Sequence, residues 1–135
     1  MNYKEDILKK YKDVKPGFLT FVKEVAAGST TIMSITLDKS SDFFAEAITG
    51  FAYNTADITA VGYFTVTQIN LGLATNSIQG QGIHSKYFSQ FTAMPIRFNE
   101  VFEGGRDIQF TVTNHSAFTS SVNIIIQGKQ LIGKI

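Results

Sequence analysis

Two histidines, His84 and His115, are the only side chains of this 135-residue chain whose ordinary pKa lies near neutrality. Each stands among small polar residues, and neither belongs to an HExxH or His-x-His pattern, so a metal site would need ligands gathered from scattered positions by folding. The plainer expectation is two loop histidines in water. Ser116 follows His115, but a serine nucleophile needs a base within hydrogen-bond reach and a third group to orient that base, and adjacency in sequence supplies neither. No GxSxG occurs. Gly80-Gln81-Gly82 opens like a dinucleotide fingerprint, yet Ser85 stands where the third glycine belongs and no βαβ pattern surrounds it. Asn114-His115-Ser116 is a glycosylation sequon, of consequence only in an exported chain.

The remaining inventory points away from chemistry. Asp38, Asp42, Glu46, Asp57, Glu100, Glu103 and Asp107 are spread singly, without the carboxylate pairing that spacing would reveal in a glycosidase. Tyr53, Tyr63, Phe64, Tyr87 and Phe88 have ring faces suited to stacking on sugars or bases, but in a Trp-free β-rich chain such rings are first of all core material. The absence of cysteine removes disulfides, thiolate nucleophiles and sulfur-ligated metals, and it suits a reducing compartment or a fold stabilised by assembly. A formal net charge of +1 provides no field to gather nucleic acid or an anionic membrane, so neither is expected as a partner. The expectation is a non-enzymatic protein with no catalytic, cofactor or metal residues.

The elements that would position any contact surface are legible from period. With 44% apolar and 17% charged residues, twelve Phe and five Tyr, the chain has the composition of one β-rich domain able to bury a real core. From Asp107 to Ile132, Ile108, Phe110 and Val112 alternate with Gln109, Thr111 and Thr113, and Val122, Ile124 and Ile126 alternate with polar neighbours, broken only by Ile125. This predicts two strands closed by a polar loop as antiparallel neighbours. Strands are also expected over 18–25, 30–37, 42–53, 58–71 and 93–103. In the third of these, Phe43, Ala45, Ala47, Thr49 and Phe51 are expected on one face, while Gly62 in the fourth suggests a bulge. Such a run of strands, with no helix suited to crossing over, predicts an all-β antiparallel sandwich of jelly-roll-like character.

Two stretches stand outside that pattern. Residues 1–15 are charged and lack the apolar core of a signal peptide, and no apolar run in the chain approaches the ~20 residues of a spanning helix, so a soluble, unexported chain is expected. Within them Tyr3, Ile7, Tyr11 and Val14 share one side of a helix until Pro16-Gly17 ends it. The segment reads as a short solvated helix or frayed tail, or as an arm that docks on another subunit, and it divides the chain into an N-terminal arm, 1–17, and a sandwich, 18–135. Residues 72–89, rich in Gly, Asn, Ser and Gln, read as a long surface loop. Its Gln81, His84, Lys86, Tyr87 and Phe88 are the candidate contact surface.

From Asp42 onward the order of features resembles the small β-sandwich structural proteins of tailed bacteriophage virions, of minor capsid, head-decoration and fibre type. The resemblance is carried by the aromatic strand DFFAEAITGFAY, the Thr-rich TVTQINLG before a glycine-rich loop, the segment MPIRFNEVFEGG, and the closing IQFTVTNHS and SSVNIIIQGKQL. It covers about two thirds of the chain and is one of pattern, with no catalytic residues to transfer. It implies a virion component made in the host cytoplasm and built into particles beside other virion proteins as a homo-oligomer, a trimer among the options. The alternative expectation is a sandwich binding module that recognises a carbohydrate or cell-surface receptor through the 72–89 loop.

Overall fold

Alternation of apolar and polar residues dictates where each strand turns its two faces, and the computed structural model, which describes residues 3–70, 75–77, 83–85 and 96–135, follows it closely. A short helix, α1 (Tyr3–Leu8), precedes β1 (Tyr11–Val25), β2 (Thr30–Thr36), β3 (Ser41–Asn54), β4 (Asp57–Gly62), β5 (Phe64–Asn70), β6 (Thr75–Ser77), β7 (Ile83–His84), β8 (Ile96–Phe102), β9 (Asp107–Asn114) and β10 (Ser120–Lys134). Sheet A has the order β1-β10-β3-β4, with β8 also on β3; sheet B has the order β2-β9-β5-β6, with β7 also on β5. All described pairings are antiparallel, and the two sheets pack face to face as an all-β sandwich. With the short β4 and β6 set aside, β1-β10-β3-β8 faces β2-β9-β5-β7, so the chain passes from one sheet to the other at nearly every connection.

Between the sheets lie Phe21, Met33, Phe43, Ile48, Phe64, Val66, Phe102, Ile108, Phe110, Val112, Val122, Ile124 and Ile126, all buried. Each large side chain contributes roughly 1.5–3 kcal/mol by leaving water. Phe21 of sheet A meets Phe110 of sheet B edge to face, with ring centroids 5.0 Å apart at 88°, the arrangement that places a ring's positive edge on its neighbour's negative face.

Four expectations are corrected. The two closing strands are not a hairpin: β9 belongs to sheet B and β10 to sheet A, so their apolar faces oppose each other across the core while residues 115–119 carry the chain between sheets. Period two identifies a buried face but is silent on whether the strand sharing that burial lies beside or opposite. The N-terminal helix stops at Leu8, and β1 runs from Tyr11 through Pro16 and Gly17, paired with β10 from Lys134 onward, so residues 11–17 lie inside sheet A and the division at 17/18 falls mid-strand. Pro16 is tolerated because β1 is an edge, where a missing N–H removes no bond from a second neighbour.

The third correction concerns β3. Ala47 pairs with Gln127 and Ala45 with Gly128, leaving Glu46 as an extra residue, and one extra residue reverses the parity of everything after it. Phe43 and Ala45 therefore point into the core together with Ile48 and Ala52, whereas Thr49, Phe51 and Tyr53 point outward. Gly128 makes the bulge possible, since a Cβ there would run into the Phe44 carbonyl oxygen and the Phe43 ring. Finally, the stretch 58–71 is two strands. It switches sheets at Tyr63, and Gly62 occupies the corner because a Cβ would meet Ser120 Oγ at 2.7 Å and Ser116 Oγ at 3.1 Å.

Candidate functional site

The two histidines come to the same part of sheet B. Thr65 lies on the side of β5 away from the core but is buried there; it pairs in register with His84 on β7, and its Oγ1 lies 2.9 Å from His115 Nε2. Beside them Tyr63, 50% exposed, places its ring 5.8 Å from that of His84 at 39°. The His115 backbone N–H donates to the Tyr63 carbonyl at 2.8 Å, fixing the loop after β9 against the β4–β5 corner. Thr113, paired with Thr65, extends the row to Thr30 through a 2.8 Å hydroxyl contact. The outcome is a polar outer patch of hydroxyls, two imidazoles and one exposed phenol ring, the chemistry of hydrogen bonding and stacking.

The neighbouring residues are committed to structure. Ser116 Oγ accepts from the Tyr63 N–H at 2.7 Å and lies 3.4 Å from the Tyr63 carbonyl as a donor, so its proton and lone pair both serve the corner. Asn114 is fully buried, and its Nδ2 donates to the carbonyls of Val25, Phe118 and, at 3.4 Å, Ala26, while its Oδ1 accepts from the Ser116 N–H. That nitrogen cannot carry a glycan in the folded chain, so the sequon is a corner clamp. Among the described residues, no group of three or more His, Asp or Glu side chains is placed to hold a metal ion.

A second surface is of the opposite kind. On the outer face of sheet A, rows of cross-strand partners run Phe18–Gln127–Ala47, Thr20–Ile125–Thr49, Val22–Asn123–Phe51 and Glu24–Ser121–Tyr53–Val61. Phe18 is 64% exposed, Val22 65%, Phe51 41% and Val61 63%, and Phe51 stacks on Tyr53 with centroids 6.3 Å apart at 21°. Glu24 ends the last of these rows, Arg97 on β8 continues the first beyond Ala47, and one row beyond Phe18, Pro16 pairs with Lys129. Contiguous exposed apolar side chains on a sheet face are the usual mark of a protein contact.

The N-terminal residues expected to dock on a partner are held by their own domain. Lys4 Nζ lies 2.8 Å from Glu46 Oε2, placing α1 at the bulge end of the sheet A face. Tyr11 donates to Asp42 Oδ2 at 2.6 Å, and Asp42 Oδ1 accepts the Gly104 N–H at 2.8 Å. Burial, the Asp42 hydrogen bond, and the negative charges of Asp42 and Glu103 push the Tyr11 hydroxyl up to about 12. Val14 pairs with Leu131 on β10, and Ile7 is half-buried on α1. The four residues thus form no single helical stripe, and the side chain of Tyr3 lies outside the described residues. So do Gln81, Lys86, Tyr87 and Phe88 of the expected contact loop; His84 alone of that group is described.

Sequence reading missed the sheet A face. The signal was Ile125, the residue that broke the alternation of β10: an apolar side chain at an outward position belongs to a second buried or contacting face. No protein-family model, curated protein or solved structure matches the chain.

Proposed function

We propose that this chain is a non-enzymatic structural component of a bacteriophage virion, a minor capsid, decoration or head-tail accessory protein that works through contacts with copies of itself and with other virion proteins. The observation that carries the reading is the exposed apolar face of sheet A, whose use is contact area. The likeness of its strand and loop order to that of virion sandwich proteins supports the reading, as does a composition with no cysteine and near-zero net charge. The test is quantitative mass spectrometry of purified particles carrying this gene, counting the chain against the shell protein. A fixed stoichiometry is expected, with hundreds of copies marking a shell-covering protein and a few dozen or fewer marking a vertex, collar, tail or fibre. Absence from particles would overturn the proposal.

A second reading, a binding module for a carbohydrate or cell-surface receptor, is favoured by one observation, the exposed Tyr63 ring beside His84, Thr65 and His115. An exposed ring flanked by hydroxyl and imidazole groups suits the apolar face and hydroxyl rim of a sugar. Saturable glycan binding that disappears in Tyr63→Ala would support it. Binding that survives this substitution would place the ligand elsewhere.

A further inference from the structure

We infer that the outer face of sheet A is the site where a second copy of this chain docks, face to face and with strands reversed about a twofold axis near the Thr20–Ile125–Thr49 row. The inference rests on the reading above that the protein works through subunit contacts, and it names the partner.

Charge and the placement of α1 favour this occupant, and the area suits a reversible contact. Three strands, β1, β10 and β3, at about 4.8 Å spacing over six residue steps of about 3.3 Å, widened by β4 at one end and β8 at the other, give a flat footprint of roughly 350 Å² per copy. Two corrugated faces of that size bury somewhat under about 1,000 Å² together, the size of a weak, reversible interface. The charged residues stand at the margins of the patch, Glu24 on β1 at one end and Arg97 on β8, paired with Ala47, at the other, so reversal sets opposite signs toward each other; the patch lacks the lysines that an anionic membrane or nucleic acid would require.

At the ends of the face the charges differ in sign. Glu24 lies two rows from Ile125 in one direction and Lys129 two rows in the other, by the pairing of β1 with β10. Reversing the strands about the Ile125 row brings Glu24 of one copy to the Lys129 end of the other and lays the Phe18 row on the Val22 row. A parallel arrangement would lay the Glu24 row on the Glu24 row, with no basic residue opposite either carboxylate. It would also set α1 against α1, since the Lys4–Glu46 bridge holds that helix at one end of the face; reversal moves the two helices to opposite ends.

Edge pairing is the less favourable route. The exposed edge β1 carries Lys12, Lys15 and Lys23 along with Pro16, the residues that blunt a strand edge against another chain.

Sedimentation velocity of the isolated chain over a wide concentration range tests the assignment. The wild type is expected to associate reversibly, and Val22→Lys or Phe51→Lys, each outward and far from the core, to weaken association at least tenfold with unchanged circular dichroism and thermal midpoint. Ser34→Lys, on the opposite sheet, is expected to leave association intact. A mixture of Val22→Lys with Phe18→Glu is expected to recover association, because reversal lays Val22 of one copy on Phe18 of the other. A chain monomeric throughout, or an association indifferent to both substitutions, would overturn the inference. If a monomeric chain were still present in particles with Phe51 and Tyr53 shielded from hydroxyl-radical labelling, the occupant would be another virion protein. Self-association by a chain absent from particles would instead overturn the virion reading and keep this one.

Discussion

The two outer faces of the sandwich share one core and differ in what they offer to the outside. Sheet B turns out Thr30, Thr113, Gln109 and the two histidines, with Ile32 a lone exposed apolar side chain among them, and its hydroxyls find partners within the face: Thr30 with Thr113, Thr36 with Asp107, and the covered Thr65 with His115. Sheet A turns out Phe18, Val22, Phe51 and Val61 at positions where a solvated sheet carries Thr, Lys or Glu. Core stability does not need those side chains, because the same strands already bury Phe21, Ile124 and Ile48 on the other side. The comparison teaches that two faces over one core can differ sharply in composition, mostly hydroxyl and imidazole on sheet B and contiguous apolar side chains on sheet A, and the proposed contact is placed on the second.

The largest expected effect is common to both faces and sets their baseline. Phe110→Ala removes a fully buried ring that bridges the sheets, and a loss of about 3–5 kcal/mol is expected in urea unfolding. If the loss were under about 1 kcal/mol, the two sheets would not depend on a shared core, and the comparison of their outer faces would lose its premise. Gly128→Ala comes next. The new Cβ meets the Phe44 carbonyl oxygen and the Phe43 ring, so β3 and β10 must separate at the bulge, with an expected cost of about 1–3 kcal/mol. The bulge also sets the parity that turns Phe51 outward, so this variant is expected to lower self-association along with stability. A variant that lost stability but associated normally would separate the bulge from the face.

How much of this was legible beforehand depends on what period two encodes. The buried sets of β9 and β10 are written in the alternation of Ile108, Phe110 and Val112 and of Val122, Ile124 and Ile126, and the sandwich follows from them. Three things are not written there. Whether two such strands lie side by side or across the core depends on long-range pairing that no local pattern records, which is why β9 and β10 read as a hairpin. A single inserted residue, Glu46, reverses the face of half a strand without changing its composition, and Phe51 parts from the face of Phe43 and Ala45 for that reason alone. Convergence of His84 and His115 requires β7 to pair with β5 while the loop after β9 bends back over Tyr63, two contacts far apart in sequence. Ile125 was the one local clue to the sheet A face.

A third effect lies at the end of that face, below α1. The Tyr11 hydroxyl, pushed up to about 12 from an ordinary 10.0, is held neutral by burial and by Asp42. A group with a raised folded-state pKa contributes stability that is fully present below its unfolded value and is lost as pH rises through the folded value. Wild-type stability is therefore expected to fall between pH 10 and about 12. Tyr11→Phe should be less stable than wild type at pH 9 and should lack this part of the fall. Equal slopes for the two proteins across that window would detach Tyr11 from Asp42 and leave the N-terminal half of β1 held by its ladder alone.

The smallest effect tests sheet B. Thr30 and Thr113 are directly opposite on adjacent strands with hydroxyls 2.8 Å apart, and such a cross-strand pair contributes roughly 0.2–1 kcal/mol. Replacing each by Val, singly and together, gives a double-mutant cycle whose coupling energy is expected in that range, because both groups face water and lose little when exchanged for it. The side chains stay β-branched, so the strands keep their propensity and only the hydroxyls are removed. Association measured in the same samples should not change, since the pair lies on the face opposite the proposed contact. A coupling well above 1 kcal/mol would mean that the pair is shielded from solvent, and the two faces would then differ less than their side chains imply. Weaker association in the double variant would place a second contact on sheet B, and the chain would then be joined to its neighbours through both faces, as a member of an extended array.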